Sequence, residues 1–314
     1  MTGLRRATAG ALLLALVVAL AACTPPHPAA DGRPVVAVTI FPVADLVSTL
    51  AGGAVQVETL LPPRASPATW EITPRQVRAV AEARGLVSVG AELDGWAARL
   101  LPDERTPTHL RLTDGLELRA ADHTHGEPGA GAEGDDHEEG AHGDPHLWLD
   151  PLLVRDGVLP RLAALLAELA PDSADAIRAR RVALADSLTW LDTDIRALLA
   201  GFDDRRYVAT HGAWSYFAAR YDLEPLGSIY ERPGHQPSAR GLADLVRAGR
   251  AAGLRVVLAE PQLASGAGEA LAQELDGEIR VVDPLGGPGL EGRESYLSMM
   301  RFNAHAFRAA LTRP

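Results

Sequence analysis

Short strand-like segments alternate with helical segments along most of this 314-residue chain, and this alternation constrains the fold more than any other feature. The strand-like segments predict strands at residues 35–40, 55–61, 86–89, 109–112, 207–210, 226–229, 256–259 and 279–282. Helical spacing between most of them predicts intervening helices. Strands that alternate with helices are typical of parallel sheets covered on both faces. The sequence therefore predicts an α/β fold.

One long helical pattern divides these strands into two sets. Its apolar residues, from Ile177 to Leu198, recur with helical spacing and predict a helix over residues 172–200. Nearly thirty residues at 1.5 Å each make a rod of roughly 40 Å. Such a rod suits a linking helix at 171–201 between an N-terminal lobe at 34–170 and a C-terminal lobe at 202–314. A long helix buried within one lobe is the alternative.

The first 22 residues predict a signal peptide. Two arginines precede an apolar run at 11–20 that is too short to span a bilayer and ends in small residues. Cys23 is the only cysteine of the chain, so it cannot form an internal disulfide, and the Leu-Ala-Ala-Cys segment resembles the lipobox of bacterial lipoproteins. We expect lipid attachment at Cys23 and a tether at 23–33. An ordinary signal peptide with a chance cysteine is the alternative.

The charge balance excludes one class of partner. The chain has 30 Lys and Arg against 41 Asp and Glu, a formal net charge of −11. It offers no basic stripe to displace counterions from phosphates, which argues against nucleic acid binding. The acidity is compatible with attracting cations, although much of it simply favours solubility.

A low-complexity segment at 120–143 has four histidines among Asp, Glu and Gly: His123, His125, His137 and His142. Because such a composition cannot pack a core, the segment predicts a solvated loop. One hypothesis is that these histidines capture a metal ion weakly and pass it inward. The alternative is a solvated linker with no metal role.

Three further side chains could bind a metal ion. His146 lies in the octapeptide Asp-Pro-His-Leu-Trp-Leu-Asp-Pro at 144–151, where two prolines restrict the backbone. His211 and Asp283 each directly follow a predicted strand, and ligands of open α/β sheets bind beyond the carboxyl ends of strands. Imidazoles and carboxylates are good zinc ligands, and manganese accepts the same mixture. Each residue alone is also consistent with an ordinary turn or loop.

Five stretches together carry a resemblance to a known family: 144–151, 210–217 (Thr-His-Gly-Ala-Trp-Ser-Tyr-Phe), 260–262 (Glu-Pro-Gln), 282–286 (Val-Asp-Pro-Leu-Gly) and 296–303. In this order the chain resembles the solute-binding lipoproteins of bacterial zinc and manganese ABC importers. The resemblance implies two (β/α) lobes with parallel four-stranded sheets, a long rigid linking helix and a metal cleft between the lobes. It also implies delivery of the ion to a membrane permease driven by a cytoplasmic ATPase.

By position, the resemblance implies that His146, His211 and Asp283 are metal ligands. Manganese binders of the family typically have Glu where this chain has His211, which favours Zn²⁺ over Mn²⁺. We therefore expect a monomeric zinc-binding lipoprotein on the outer face of the cytoplasmic membrane or in the periplasm.

One position departs from the family pattern. Ala68, in Pro-Ala-Thr-Trp-Glu, stands where the family has its first histidine ligand, and a methyl group cannot bind metal. A water molecule could complete a weaker site, or Glu71 could reach it if this segment is helical. A loop histidine, such as His123 or His142, could also reach back. The fourth account is that the site is reduced or changed.

Two other function classes compete with a transport receptor. Three protein ligands with one open position also describe a catalytic zinc site, in which Glu71 could be the general base. Against an enzyme, the chain has no His-Glu-x-x-His motif and no convincing nucleophile–base pair. A lipoprotein of the same scaffold with a degenerate site, acting in adhesion or interaction, is the other alternative, and Ala68 is its best support.

Overall fold

The computed structural model describes residues 32–101, 108–120, 143–230, 237–264 and 266–312. Several sequence predictions lie outside these ranges, namely the signal peptide, Cys23 and the loop histidines His123, His125, His137 and His142. In the ranges that are described, no helix is long and apolar enough to cross a membrane.

The first sheet has four parallel strands in the order β2-β1-β3-β4. The strands are β1 (Val35–Val38), β2 (Gln56–Thr59), β3 (Gly85–Ser88) and β4 (Thr108–Arg111). Helices α1 (Phe41–Ala51), α2 (Pro74–Glu82) and α3 (Gly95–Ala98) connect them. The central strand β3 is buried at all four positions, as expected of a parallel strand covered on both faces. Each predicted strand of this lobe is present within two residues of its expected bounds.

A helical region follows the octapeptide. It comprises α4 (Pro151–Leu153), a π-helical stretch (Val154–Val158), α5 (Leu159–Leu169) and α6 (Ala174–Leu198). Helix α6 has 25 residues and is therefore about 37 Å long. Its buried side chains include Ile177, Leu188 and Ile195, and it packs against α1 and α5. The predicted domain boundaries at 170 and 202 stay predictions.

The second sheet repeats the first in its topology. Its parallel strands are β5 (Arg206–His211), β6 (Glu224–Tyr230), β7 (Val256–Ala259) and β8 (Glu278–Val281), in the order β6-β5-β7-β8. Its helices are α7 (Ser215–Arg220), α8 (Ala239–Ala251), α9 (Gly266–Glu274) and α10 (Tyr296–Leu311). The prediction of two α/β lobes with parallel four-stranded sheets is confirmed.

The two sheets share one hydrophobic core. A single cluster of buried side chains includes Val36 and Leu86 of the first sheet, Leu188 of α6, and Tyr207 and Leu258 of the second sheet. A smaller cluster lies in the second lobe and includes residues of α8 and α9. Because the larger cluster is continuous through α6, the two lobes are held together by apolar packing as well as by the chain connection.

Candidate metal centre

A cavity of about 30 Å³ is lined by both predicted histidine ligands. Its polar lining consists of His146, His211, Glu260, Gln262 and Ser66. Its apolar lining consists of Pro67, Ala68, Leu93, Trp148, Leu263, Pro284 and Leu285. The second sheet contributes at the carboxyl ends of its central strands, where open α/β sheets bind their ligands. The structure therefore brings two of the three ligands predicted from the sequence, His146 and His211, to one cavity.

His211 is the last residue of β5, and its ring is held by a carboxylate from the neighbouring strand. Glu260 directly follows β7, and its Oε2 lies 3.4 Å from His211 Nδ1. The other oxygen, Oε1, accepts a hydrogen bond from Trp214 Nε1 at 3.1 Å. Burial lowers the pKa of His211, but the negative charge of Glu260, its hydrogen bond and the more distant Asp144 outweigh burial, so the pKa is raised.

His146 is held in the same way from within its own turn. Asp144 Oδ1 accepts hydrogen bonds from the backbone N–H of His146 at 2.9 Å and from its Nδ1 at 2.7 Å. The second carboxylate oxygen accepts the hydroxyl of Ser215 in α7. Burial raises the pKa of Asp144, but the hydrogen bonds and charge of His146, with the bond from Ser215, outweigh it, so the pKa is lowered. Asp144 is therefore ionised at neutral pH.

The two imidazole rings are neighbours, and in both of them Nδ1 is paired with a carboxylate. Their ring centroids are 5.2 Å apart and the rings are inclined by 75°. A carboxylate only accepts hydrogen bonds, so in each neutral ring Nδ1 carries the proton and Nε2 keeps its lone pair. Metal-bound histidines are usually oriented in this way by a carboxylate on the second nitrogen. The arrangement suits two Nε2 atoms that bind one ion.

Hydrogen bonds attach the octapeptide to the second lobe. Trp148 donates from Nε1 to the carbonyl of Pro284 at 2.7 Å, and the Tyr296 hydroxyl donates to the carbonyl of Trp148 at 2.7 Å. The guanidinium of Arg220 in α7 donates to both oxygens of Asp150, at 2.8 and 2.6 Å. His146 therefore lies on a segment that precedes the second lobe in sequence but is bonded to it in space.

The carboxylate of Asp283 is occupied by protein donors. It has no exposed surface. Its Oδ1 accepts from Gln262 Nε2 at 2.7 Å, from Leu285 N at 3.1 Å and from Gly286 N at 2.9 Å, and Oδ2 accepts from Arg293 Nη1 at 3.0 Å. Asp283 is not among the residues that line the cavity. As a metal ligand, Asp283 stays a prediction.

The first lobe places carbon rather than a ligand against the cavity. Ala68 lies in a single 3₁₀ turn, Pro67–Thr69, and contributes only its methyl group. The turn ends before Glu71, whose side chain is exposed and does not line the cavity. The helical segment that would place Glu71 beside position 68 is therefore not formed. Within the described ranges, no group of three or more His, Cys, Asp or Glu residues is clustered tightly enough to hold a metal.

Asp144 and Glu260 are site residues that the sequence alone does not assign, although both lie in the stretches that resemble the family. Asp144 is two residues before His146, a spacing at which an Asp side chain reaches the following backbone N–H groups. Glu260 directly follows a buried strand next to the one that ends in His211. These two positions in the sequence could have indicated polar residues near the site. The pairing of each carboxylate with its histidine, however, depends on strand order and local geometry.

Comparisons with known proteins agree with this geometry. The family model described as "ZnuA: Zinc-uptake complex component A periplasmic" matches residues 36–310. The chain is 24% identical over 290 residues to the zinc-binding protein AdcA of Streptococcus pyogenes, which covers 89% of this chain and 56% of AdcA. It is 25% identical over 278 residues to the high-affinity zinc uptake system protein ZnuA of Yersinia pestis, which covers 84% of this chain and 87% of that protein.

The fold has a similar counterpart among solved structures. A crystal structure of ZnuA matches with a TM-score of 0.77 and 27% identity, over 89% of this chain and 100% of that chain. The present chain spans only a little over half the length of AdcA but most of the Yersinia protein. The fold, the cavity and the sequence comparisons thus lead to one family.

Proposed function

This chain belongs to the family of zinc-uptake complex component A periplasmic proteins, and we propose that it captures zinc outside the cytoplasm for an ABC importer. One observation carries the proposal: the buried imidazole of His146 and the partly buried imidazole of His211 line one cavity, and each has a buried carboxylate at Nδ1. The family is one of solute-binding proteins rather than enzymes. The comparisons favour zinc uptake over the adhesion or interaction role that Ala68 left open.

The charges around the cavity suit a divalent cation. Asp144 and Glu260 lie behind the two imidazoles and together supply two negative charges once ionised. Asp283 is paired with Arg293, so this pair adds no net charge. Imidazole nitrogen binds zinc well, whereas manganese prefers sites with more oxygen ligands. We therefore propose Zn²⁺ as the cargo and Mn²⁺ as a weaker competitor.

The zinc site that we propose is built on His146 and His211; Asp283 stays a ligand predicted from the sequence. To reach the ion, Asp283 would exchange at least one of its present donors for the metal. The loop histidines His123, His125, His137 and His142 stay predicted accessory sites.

We also propose the cellular setting. The protein delivers the ion to a membrane permease, and a cytoplasmic ATPase drives transport through that permease. Lipid attached at Cys23 holds a monomeric protein on the outer face of the cytoplasmic membrane or in the periplasm. The family description as periplasmic and the Leu-Ala-Ala-Cys sequence support this setting.

The test is a titration of residues 24–314 with zinc and with manganese, by calorimetry with a competing chelator. We expect one high-affinity zinc ion per chain, and we expect His146→Ala and His211→Ala each to abolish high-affinity binding. His305→Ala is the matched control, because His305 is an exposed histidine on α10. Equal zinc binding by all four proteins would contradict the proposal, and so would preference for manganese.

A further inference from the structure

Gln262 has one end fixed and the other end unpaired. Its side-chain nitrogen donates to Asp283 Oδ1 at 2.7 Å. Its side-chain oxygen, Oε1, is fully enclosed and has no hydrogen-bond partner in the described part of the chain. Buried acceptors are nearly always satisfied in folded proteins, so an unpaired one requires an explanation.

The orientation of this amide follows from chemistry. Asp283 can only accept hydrogen bonds when ionised, so the NH₂ end of Gln262 faces it and the oxygen faces away. Asp283 is itself held by the backbone N–H groups of Leu285 and Gly286 and by Arg293. The amide is thus attached to a buried and well-anchored carboxylate. Gln262 lines the same cavity as His146 and His211.

We propose that Gln262 Oε1 is the third protein ligand of the zinc ion, beside His146 Nε2 and His211 Nε2, and that Asp283 is the positioning residue that aims it. This inference rests on the proposed function. It assigns a protein ligand in place of the histidine that the family has at position 68. Two nitrogens and one oxygen leave a fourth position open on a tetrahedral ion. A neutral amide oxygen is a harder and weaker ligand for zinc than imidazole, so the site binds zinc less tightly than one with three histidines.

The ion pair between Asp283 and Arg293 favours Gln262 over Asp283 as the ligand. The Arg293 side chain is largely buried, and its Nε has no hydrogen-bond partner within the described ranges. If Asp283 turned to the metal, the guanidinium would lose its buried counter-ion, which is strongly unfavourable. Binding through Gln262 leaves this pair intact and gives the unpaired oxygen a partner.

The experiment compares Gln262→Ala with Gln273→Ala, an exposed glutamine on α9. We expect the zinc dissociation constant to rise at least about tenfold in Gln262→Ala and not in Gln273→Ala. Asp283→Asn is measured beside them, because a direct carboxylate ligand would make it the more damaging change. Melting temperatures without zinc identify any variant that fails to fold.

A second readout separates a ligand from a structural residue. Cobalt(II) in the zinc site absorbs visible light, and its bands report the atoms bound to it. We expect Gln262→Ala to shift these bands, and we expect Asp283→Asn to leave their positions closer to those of the unmodified protein. Bands that shift in Asp283→Asn but not in Gln262→Ala would overturn the inference in favour of Asp283.

The two proposals fail in different ways. If the unmodified protein binds no zinc, or binds it without His146 and His211, the proposed function fails. If zinc binding needs both histidines while Gln262→Ala changes neither the affinity nor the cobalt spectrum, only the inference on Gln262 is overturned.

Discussion

The two walls of the cavity differ far more than the two sheets from which they extend. Both sheets have the same strand order and direction. The first-lobe wall, however, offers Ser66, Pro67, Ala68 and Leu93, whereas the second-lobe side offers both imidazoles with their carboxylates. The second lobe thus supplies the metal-binding side chains, whereas the first lobe, with the same sheet topology, mainly closes the cavity with apolar side chains.

The difference becomes sharper once His146 is assigned by its bonds rather than by its sequence position. The segment around it is bonded to Ser215, Arg220, Pro284 and Tyr296 of the second lobe. Both histidines are therefore held by the second lobe. Their separation does not depend on the position of the first lobe. Preorganised ligands of this kind reduce the ordering that binding requires.

Ala68→His tests the first-lobe wall most strongly. An imidazole at this position adds a ligand from the first lobe, and one ligand of a four-ligand zinc site is worth about 3 kcal/mol. We therefore expect zinc affinity to rise roughly a hundredfold in a competition titration with a chelator. Unchanged affinity would mean that the wall at position 68 does not approach the ion.

Asp144→Asn and Glu260→Gln test the second-lobe side. Each removes a negative charge and weakens the hold on Nδ1 of one histidine, and losses of outer carboxylates typically reduce metal affinity about 10- to 100-fold. Ser66→Ala is the control from the first-lobe wall, and we expect no measurable change in its zinc titration. A comparable loss in Ser66→Ala would remove the distinction between the two walls.

Tyr296→Phe tests the attachment of the octapeptide to the second lobe. It removes the hydroxyl that donates to the Trp148 carbonyl, so we expect the free energy of unfolding to fall by about 1 kcal/mol or more in urea titrations. Tyr230→Phe removes a comparable bond to the Ala264 carbonyl, away from the octapeptide. We expect only Tyr296→Phe to weaken zinc binding as well, and equal zinc affinities in the two variants would argue against the attachment.

The smallest effect concerns Asp45 of α1, whose carboxylate accepts the backbone N–H of Tyr296 at 2.8 Å. Burial raises the pKa of Asp45 more than this hydrogen bond lowers it. The folded-state pKa of Asp45 lies above the unfolded value of 3.8. The contribution of the protonated Asp45 to the free energy of unfolding is therefore complete below pH 3.8 and is lost as the pH rises through the folded-state pKa.

Asparagine cannot ionise, so the stability of Asp45→Asn relative to the unmodified protein should increase slightly over that interval. Urea unfolding at several pH values between about 3 and about 6 measures the difference. A relative stability that stays constant with pH would contradict the assigned direction of the pKa shift.

The strands could be predicted from sequence because their signal is local. Each predicted strand agrees with the observed one to within about two residues at either end, and the segment at 256–259 coincides with β7. The placement of His146 and His211 in one cavity also agrees with expectation. The strand-end rule applies to His211, which is the last residue of β5, whereas His146 was indicated by its proline-flanked octapeptide.

The rest of the site depends on contacts between distant residues. The donors that surround Asp283 come from positions 262 and 293, and the hydroxyl on Asp144 comes from position 215. The account in which Glu71 reaches the site depended on a helical segment from position 68 to position 71, and the 3₁₀ turn ends at Thr69, before Glu71. Side-chain partners across such separations follow from packing, which the sequence alone does not specify.

The continuous hydrophobic cluster has a consequence for local opening. It joins side chains of both sheets through α6, so the first sheet cannot lose its packing without exposing apolar surface on the second. Amide hydrogens in such a shared unit exchange through the same cooperative opening event. Zinc held by the second lobe should therefore slow hydrogen exchange in β1 and β3 almost as much as in β5 and β7, although the described part of the first lobe adds no metal ligand to the site proposed here.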